Sequence, residues 1–392
     1  MRIVDVNEFY SPTGGGVRTY VDRKMAILAD HGHELIVVAP GREDREEERP
    51  GGGRVIYRKS PPLPFDRNYG LFWHAAPIHA LLDRFDPDVV ECSSPWRPAW
   101  IVAAWAGRAV KAYFFHGDNM ESYAKRWFGG VASPDAIERA FAWYDRYQGR
   151  FLSRFDVVVG NGPTLTGQLR RRGVRVDATV PLGIDRAAFS PALRDKRLRR
   201  ALLAQCALEP DATLLLGIGR HHPEKEWGML IDAAARAGTA LPVGLVLLGQ
   251  GPGTRALQRR AGESPHVRLF RPVYDRRRLA TIMASADAYI HGSPTETFGL
   301  VVAEALAAGA PLILPDAGGA AAFADPAYAE VYRSRDAWDC AEAIGRLARR
   351  DQGALRRAAA TAAGAVRTDV DHALELVALY AEVAASAAGR SA

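Results

Sequence analysis

Cysteine is scarce: Cys92, Cys206 and Cys340 are all that this 392-residue chain contains. Their odd number, wide spacing and lack of any C-x-x-C pair exclude a disulfide framework and a cysteine zinc site, so buried thiols are expected. Long apolar runs are missing too. No stretch reaches the roughly 18 apolar residues that a membrane-crossing helix needs, and the opening Met-Arg-Ile-Val-Asp-Val-Asn-Glu lacks the apolar core of a secretion signal. A cytoplasmic protein is the expectation. Two nucleotide motifs are also absent. Gly14-Gly15-Gly16 is not followed by Lys-Ser or Lys-Thr, which excludes a P-loop, and Thr19 stands where a dinucleotide fingerprint needs its third glycine. The strand at 34–38 ends in Ala39-Pro40 with no acid to hold a ribose, so NAD is disfavoured.

What is present is an ordinary globular composition, 48% hydrophobic and 24% charged, in a chain long enough for two domains. The net charge of +6 suits anionic partners: nucleotide diphosphates, lipid headgroups or nucleic acid. Arginine clusters such as Arg170-Arg171-Arg172 and Arg276-Arg277-Arg278 read as solvated faces, and no nucleic-acid motif accompanies them.

Short apolar strands alternate with helical patterns along the chain, the signature of doubly wound α/β domains. Strands are expected at Arg2 to Val6, Glu34 to Val38, Val89 to Glu91, Lys111 to Phe115 and Phe155 to Val159. After a linker at 186–211 the alternation restarts at Leu214 to Ile218, Val243 to Leu248, Val267 to Phe270, Ala288 to Ile290 and Pro311 to Leu314. Residues 41–54 read as an exposed loop, Leu71 to Phe85 as a helix, and Asp371 to Ala387 as a last amphipathic helix. The glycines at 14–16 follow the first strand, where backbone N–H groups can approach a phosphate that any Cβ would hold off. Arg220 and Lys225 share one loop after a strand, a spacing that can pincer a diphosphate. His116 ends a strand, where such sheets place function. The aromatic and basic segment at 120–154 suits contact with an anionic membrane or an extended acceptor, and equally a set of core aromatics with solvated arginines.

The organising stretch is 291–304, His-Gly-Ser-Pro-Thr-Glu-Thr-Phe-Gly-Leu-Val-Val-Ala-Glu. A strand, a loop and a helix start in that order bring free N–H groups and the positive end of a helix to one place. Glu296 and Glu304 lie on the loop and on the helix. This stretch, with the loops at 14–16 and 219–226, resembles the retaining glycosyltransferases of family four, and the resemblance covers nearly the whole chain.

The resemblance implies the GT-B fold: two facing Rossmann-like domains, with a C-terminal helix crossing back to the N-domain. It implies an acceptor domain at 1–190, a nucleotide-sugar donor domain at 191–370, and the returning helix at 371–392. Glu296 would reach the donor sugar and Glu304 the ribose, with Thr297, Phe298, Gly299 and Leu300 beside them. Gly15 and Gly16 would approach the donor phosphate, Arg220 and Lys225 would clamp the diphosphate, His116 would sit beside the reacting carbon, and the backbone at Val273 would read the base. The implied partners are a UDP- or GDP-hexose and a hydroxyl of a glycolipid, glycan or small molecule, with no cofactor beyond the nucleotide sugar. No metal is implied, and Asp86-Pro87-Asp88 has the D-x-D spacing but precedes a strand. The chain departs from the family at Leu182, where asparagine is usual, at Glu226, where glycine is, at Gln250, where an acid is, and at Ala322, where glutamate is common. Two other readings remain: a nucleotide-sugar epimerase of the same fold, and a non-catalytic module for an anionic polymer.

Overall fold

Strand Arg2–Val6 (β1) is buried along nearly its whole length, the pattern of a central parallel strand covered on both faces. The computed structural model describes residues 1–11, 16–62, 70–120, 124, 128 and 130–391. The chain divides into two units, Met1–Leu182 with Asp369–Ala392, and Gly183–Thr368.

In the first unit β1 pairs in parallel with Glu34–Gly41 (β2) on one side and Val89–Cys92 (β5) on the other. With Arg45–Glu48 (β3), Arg54–Lys59 (β4), Val110–Phe115 (β6), Val157–Gly160 (β7) and Ala178–Thr179 (β8), the order is β3-β4-β2-β1-β5-β6-β7-β8. Strand order reverses between β1 and β5, the switch point where such sheets bind ligands. Only β3 among these is antiparallel.

Two expectations fail here. The loop expected at 41–54 contains β3, whose Arg-Glu-Glu-Glu sequence is charged throughout and sits at the sheet edge, so it carries no apolar period to read. The helix expected from Leu71 begins at Ala76, because Pro77 fits only a first helical turn. Phe72 instead packs in the core with its N–H donated to Glu8. The chain returns to this unit through the helix Asp369–Ser391, which packs on the helix Gly16–Asp30 and on β6.

The second unit holds Thr213–Ile218 (β9), Val243–Leu248 (β10), Val267–Phe270 (β11), Ala288–Ile290 (β12), Leu312–Pro315 (β13) and Ala329–Tyr332 (β14). They form an all-parallel sheet in the order β11-β10-β9-β12-β13-β14. Here the switch point lies between β9 and β12. Sequence pattern missed β14, a half-buried edge strand only four residues long. The three cysteines are free and buried, as expected. Among the described residues, no helix is long and apolar enough to cross a membrane.

Candidate functional site

Because β12 lies directly beside β9, with Tyr289 opposite Leu216, the loops leaving their carboxyl ends are neighbours. The β9 loop carries Arg220 and Lys225, and the β12 loop carries His291 and Glu296. The approach is close: a Cβ on Gly292 would lie 2.5 Å from the Lys225 carbonyl oxygen. A third loop, after β13, braces the motif. The Gly319 N–H donates to the Glu296 carbonyl at 2.5 Å, and a Cβ on Gly318 would meet the Pro294 carbonyl at 2.6 Å. The helix that follows the loop starts at Leu300, because Gly299 adopts the left-handed conformation at φ +91° and turns the chain into Leu300–Ala307.

Within this frame Lys225 Nζ donates to Glu296 Oε2 at 2.5 Å. The two side chains keep 18% and 26% of their exposure, so solvent or a ligand can reach them. Burial alone would raise the Glu296 carboxyl, but the Lys225 ammonium and then His291 hold its pKa at about 2. Glu296 is therefore ionised at neutral pH. Arg220, 70% exposed, pairs with Glu224 on its own loop at 3.1 Å, while its carbonyl accepts from Trp227 Nε1 and fixes the backbone.

Sequence reasoning missed His291. Its ring is buried, its carbonyl accepts from Tyr332 Oη at 2.6 Å, and its Nε2 lies 3.5 Å from the same Glu296 oxygen that Lys225 holds. Burial, with Lys225 adding to it and Glu296 opposing, pushes the imidazole down to about 4. A histidine at the end of a buried strand gives no signal of its own in sequence. The signal was its place five residues before Glu296.

Glu304 lies on the helix Leu300–Ala307, and the hydroxyl of buried Tyr289 is raised first by burial and then by both Glu296 and Glu304. It has a different partner, Arg276, at 3.8 Å, and Arg276 also faces Asp185 at 3.9 Å. Burial lifts the Glu304 carboxyl to about 7, Arg276 opposing and Asp185 adding. Phe298 packs edge-on against Phe323, and Val273 packs against the core of the same unit on the loop after β11.

In the first unit His116 follows β6, its ring edge-on to Tyr20 and Phe114 at 5.1 and 5.0 Å. Burial lowers its pKa to about 4, with Glu91 opposing. Gly16 opens the helix Gly16–Asp30 with open space where a Cβ would stand, and Gly15 lies outside the described residues. The second unit thus joins Arg220, Lys225 and Glu296 on adjoining loops and sets Glu304 on the following helix, while Gly16 and His116 belong to the first unit. Among the described residues, no cluster of three or more His, Cys, Asp and Glu could hold a metal ion.

The family model for Glycosyltransferase Family 4 matches residues 14–188, and that for Glycosyl transferases group 1 matches 212–350. The chain is 31% identical over 316 residues to a GDP-mannose-dependent alpha-(1-6)-phosphatidylinositol dimannoside mannosyltransferase of Mycobacterium tuberculosis, covering 80% of this chain and 79% of that one. It belongs to glycosyltransferase family 4. A second M. tuberculosis relative, a GDP-mannose-dependent alpha-mannosyltransferase, is 30% identical over 81% of this chain and 80% of its own. Sucrose-phosphate synthase from Thermosynechococcus elongatus superposes with a TM-score of 0.78 at 18% identity, over 98% of this chain and 100% of that one. The fold of this family 4 glycosyltransferase is GT-B, built from two parallel-sheet α/β domains.

Proposed function

We propose that this family 4 enzyme is a retaining, metal-independent transferase that moves mannose from GDP-mannose to a hydroxyl of a glycolipid acceptor. The observation that carries the reading is the pairing of Lys225 with Glu296 at the switch point of a sheet, with Arg220 on the same loop, in a chain whose relatives use GDP-mannose. In this reading residues 1–190 receive the acceptor, 191–370 hold the donor, and the helix at 371–392 returns to the N-domain.

The chemistry has to stabilise a departing diphosphate and an oxocarbenium-like sugar together. Arg220 and Lys225 supply positive charge where the phosphate charge grows, aided by the backbone at Gly15, Gly16 and Thr297 to Leu300. Glu296, ionised at neutral pH, faces the cationic sugar. The sugar C1–O bond to phosphate breaks, the bond to the acceptor oxygen forms on the same face, and the acceptor proton passes to the leaving diphosphate. His116 holds the sugar as a neutral imidazole, Glu304 takes the ribose, and the backbone at Val273 takes the base.

Contact with an anionic membrane belongs to the same proposal. Trp96, Trp143 and Trp73 are exposed by 45, 54 and 64%, and the first two pack against Tyr144, which is itself buried, Trp96 tilted and Trp143 edge-on. Exposed Arg139, Arg146 and Arg150 lie on the same pair of helices, Pro134–Ala140 and Ala142–Leu152. Such a mixture suits a lipid–water interface. Tyr123, Lys125, Arg126 and Trp127 of this segment lie outside the described residues.

The test is transfer of radiolabelled mannose from GDP-mannose to phosphatidylinositol mannosides, with UDP-glucose as the competing donor and EDTA in parallel. Transfer with an α-linked product, indifferent to EDTA, supports the reading. Loss of activity with EDTA refutes metal independence, and a β-linked product refutes retention. Turnover with UDP-glucose alone refutes the donor.

A further inference from the structure

Lys225 has two claims on its charge. In the free protein its ammonium is held by Glu296 Oε2 at 2.5 Å, whereas the proposed donor brings a diphosphate that needs it. Drawing Lys225 onto phosphate strips a half-buried carboxylate of its strongest partner, and an ionised carboxylate left bare in such a place is costly. One other group is positioned to replace it. His291 Nε2, buried and without a hydrogen-bond partner, stands 3.5 Å from that same oxygen. A shift of about half an ångström would bring it within ordinary hydrogen-bond distance.

We infer that His291 is the positioning residue that takes over Glu296 when the donor draws Lys225 away, and that it gains a proton in doing so. The inference rests on the donor-site reading above. It differs in consequence, because donor binding becomes linked to proton uptake. In the free protein burial and Lys225 keep the imidazole neutral at pH 7, and Glu296 alone opposes them. Moving Lys225 to the phosphate takes away one of the two influences that hold the proton off, leaving burial, and the diphosphate adds negative charge beside the ring. The other groups facing the ring are the Tyr289 hydroxyl, 3.5 Å from Nδ1, and the Tyr332 hydroxyl, which is held by the His291 carbonyl. Arg220 lies farther out and acts on Glu296. None of these carries a proton that it gives up near neutrality.

Glu304 works in the opposite sense, since a carboxyl lifted to about 7 sheds its proton if it accepts ribose hydroxyls. The proton balance of His291 is therefore read as a difference. GDP-mannose is titrated calorimetrically into the full chain at pH 6 and pH 8, in buffers of different ionisation enthalpy, for wild type and for His291→Gln. The glutamine keeps an N–H donor but cannot take a proton. Wild type is expected to take up about half a proton more than His291→Gln at pH 6, with the excess shrinking at pH 8. The ratio of wild-type to variant affinity rises as pH falls, by up to about tenfold per unit at its steepest.

Equal proton balance in the two proteins overturns the inference and leaves the donor site standing. Failure to bind both GDP-mannose and UDP-glucose overturns the donor site, and this inference with it. Should His291→Gln not fold, long-range proton–nitrogen spectra of histidine-labelled wild type decide the matter. A ring that becomes doubly protonated with GDP-mannose supports the inference, and no change in any histidine ring overturns it.

Discussion

Asp5 stands opposite Glu91 across the β1–β5 pairing, two carboxylates side by side at the switch point of the first unit. Lys24, from the helix Gly16–Asp30, gives both of its hydrogen bonds to Glu91, at 2.6 and 2.8 Å, and Tyr380 of the last helix adds a third at 2.6 Å. The network is buried and ties the terminal helix to the sheet. Removing one partner leaves the other charge buried and bare, which typically costs about 3–5 kcal/mol. Lys24→Met is expected to lose stability on that scale, and Lys24→Met with Glu91→Leu to lose less. Urea unfolding compares them, and a single variant as stable as wild type defeats the assignment.

Lys24 is committed to Glu91, and Asp5 is left with Asn7 as its partner and one oxygen without any. Burial and then Glu91 push the Asp5 carboxyl up from 3.8 to about 7. The folded protein thus binds this proton more strongly than the unfolded chain. Between about pH 4 and pH 7 the group's contribution is fully present at the low end and is lost as pH rises, by up to ~1.4 kcal/mol per unit. Asp5→Asn is expected to be the more stable protein at pH 8, with its advantage fading toward pH 4. Thermal unfolding across that range checks it, and a constant difference counts against the shift.

Ten of the parallel strands could be read from sequence because each is a short apolar run closed by turn residues, the pattern that burial on both faces demands, whereas the interior strand β4, with only Val-Ile-Tyr between charged ends, and the two-residue β8 were not. Edge elements could not. The all-charged β3 and the half-exposed β14 are strands because a neighbour offers hydrogen bonds, and their side chains record nothing of this. The same limit applies at the site. Arg220, Lys225 and Glu296 stood out by loop position, but their pairing depends on β12 lying beside β9, a fact of strand order that no local pattern encodes. His291 stayed hidden for a different reason: a histidine that ends a buried strand looks like a core residue, and only its place five residues before Glu296 marks it.

Arg220 is expected to matter for rate and not for fold. Its guanidinium is 70% exposed, and among the described residues its one ion pair is with Glu224 on the same loop. Removing a single cationic donor from a developing phosphate charge typically lowers turnover ~10²–10³-fold. Arg220→Ala should show that loss in kcat with an unchanged melting temperature. Wild-type turnover in the variant removes Arg220 from the proposed clamp.

Glu226 occupies a position where family members usually have glycine, and the structure gives the reason. Its backbone is left-handed, φ +50° and ψ +31°, at the start of the helix Trp227–Ala237. A side chain there typically costs ~1–2 kcal/mol, partly offset by the entropy that glycine would lose on folding. The compensating contact is a 3.3 Å ion pair with half-exposed Arg335, and exposed pairs contribute little. Glu226→Gly is therefore expected to be neutral or more stable by up to ~1 kcal/mol, with donor KM unchanged. A marked loss of stability by calorimetry would show that Glu226 contributes through a contact other than Arg335.

Glu304 is expected to separate binding from chemistry. It lies on the helix behind the motif loop, faces Arg276 at 3.8 Å, and holds neither Lys225 nor His291 in the free protein. If it accepts hydroxyls of the ribose, far from the bond that breaks, its contribution is the same in ground and transition states. Such uniform binding appears in KM and leaves kcat alone. Glu304→Gln keeps the shape and one acceptor oxygen but loses the charge, and hydrogen bonds to a charged group are typically stronger by ~1 kcal/mol. Donor KM should rise roughly five- to tenfold while kcat changes less than about twofold. A fall in kcat as large as that of Arg220→Ala would instead place Glu304 at the reacting centre.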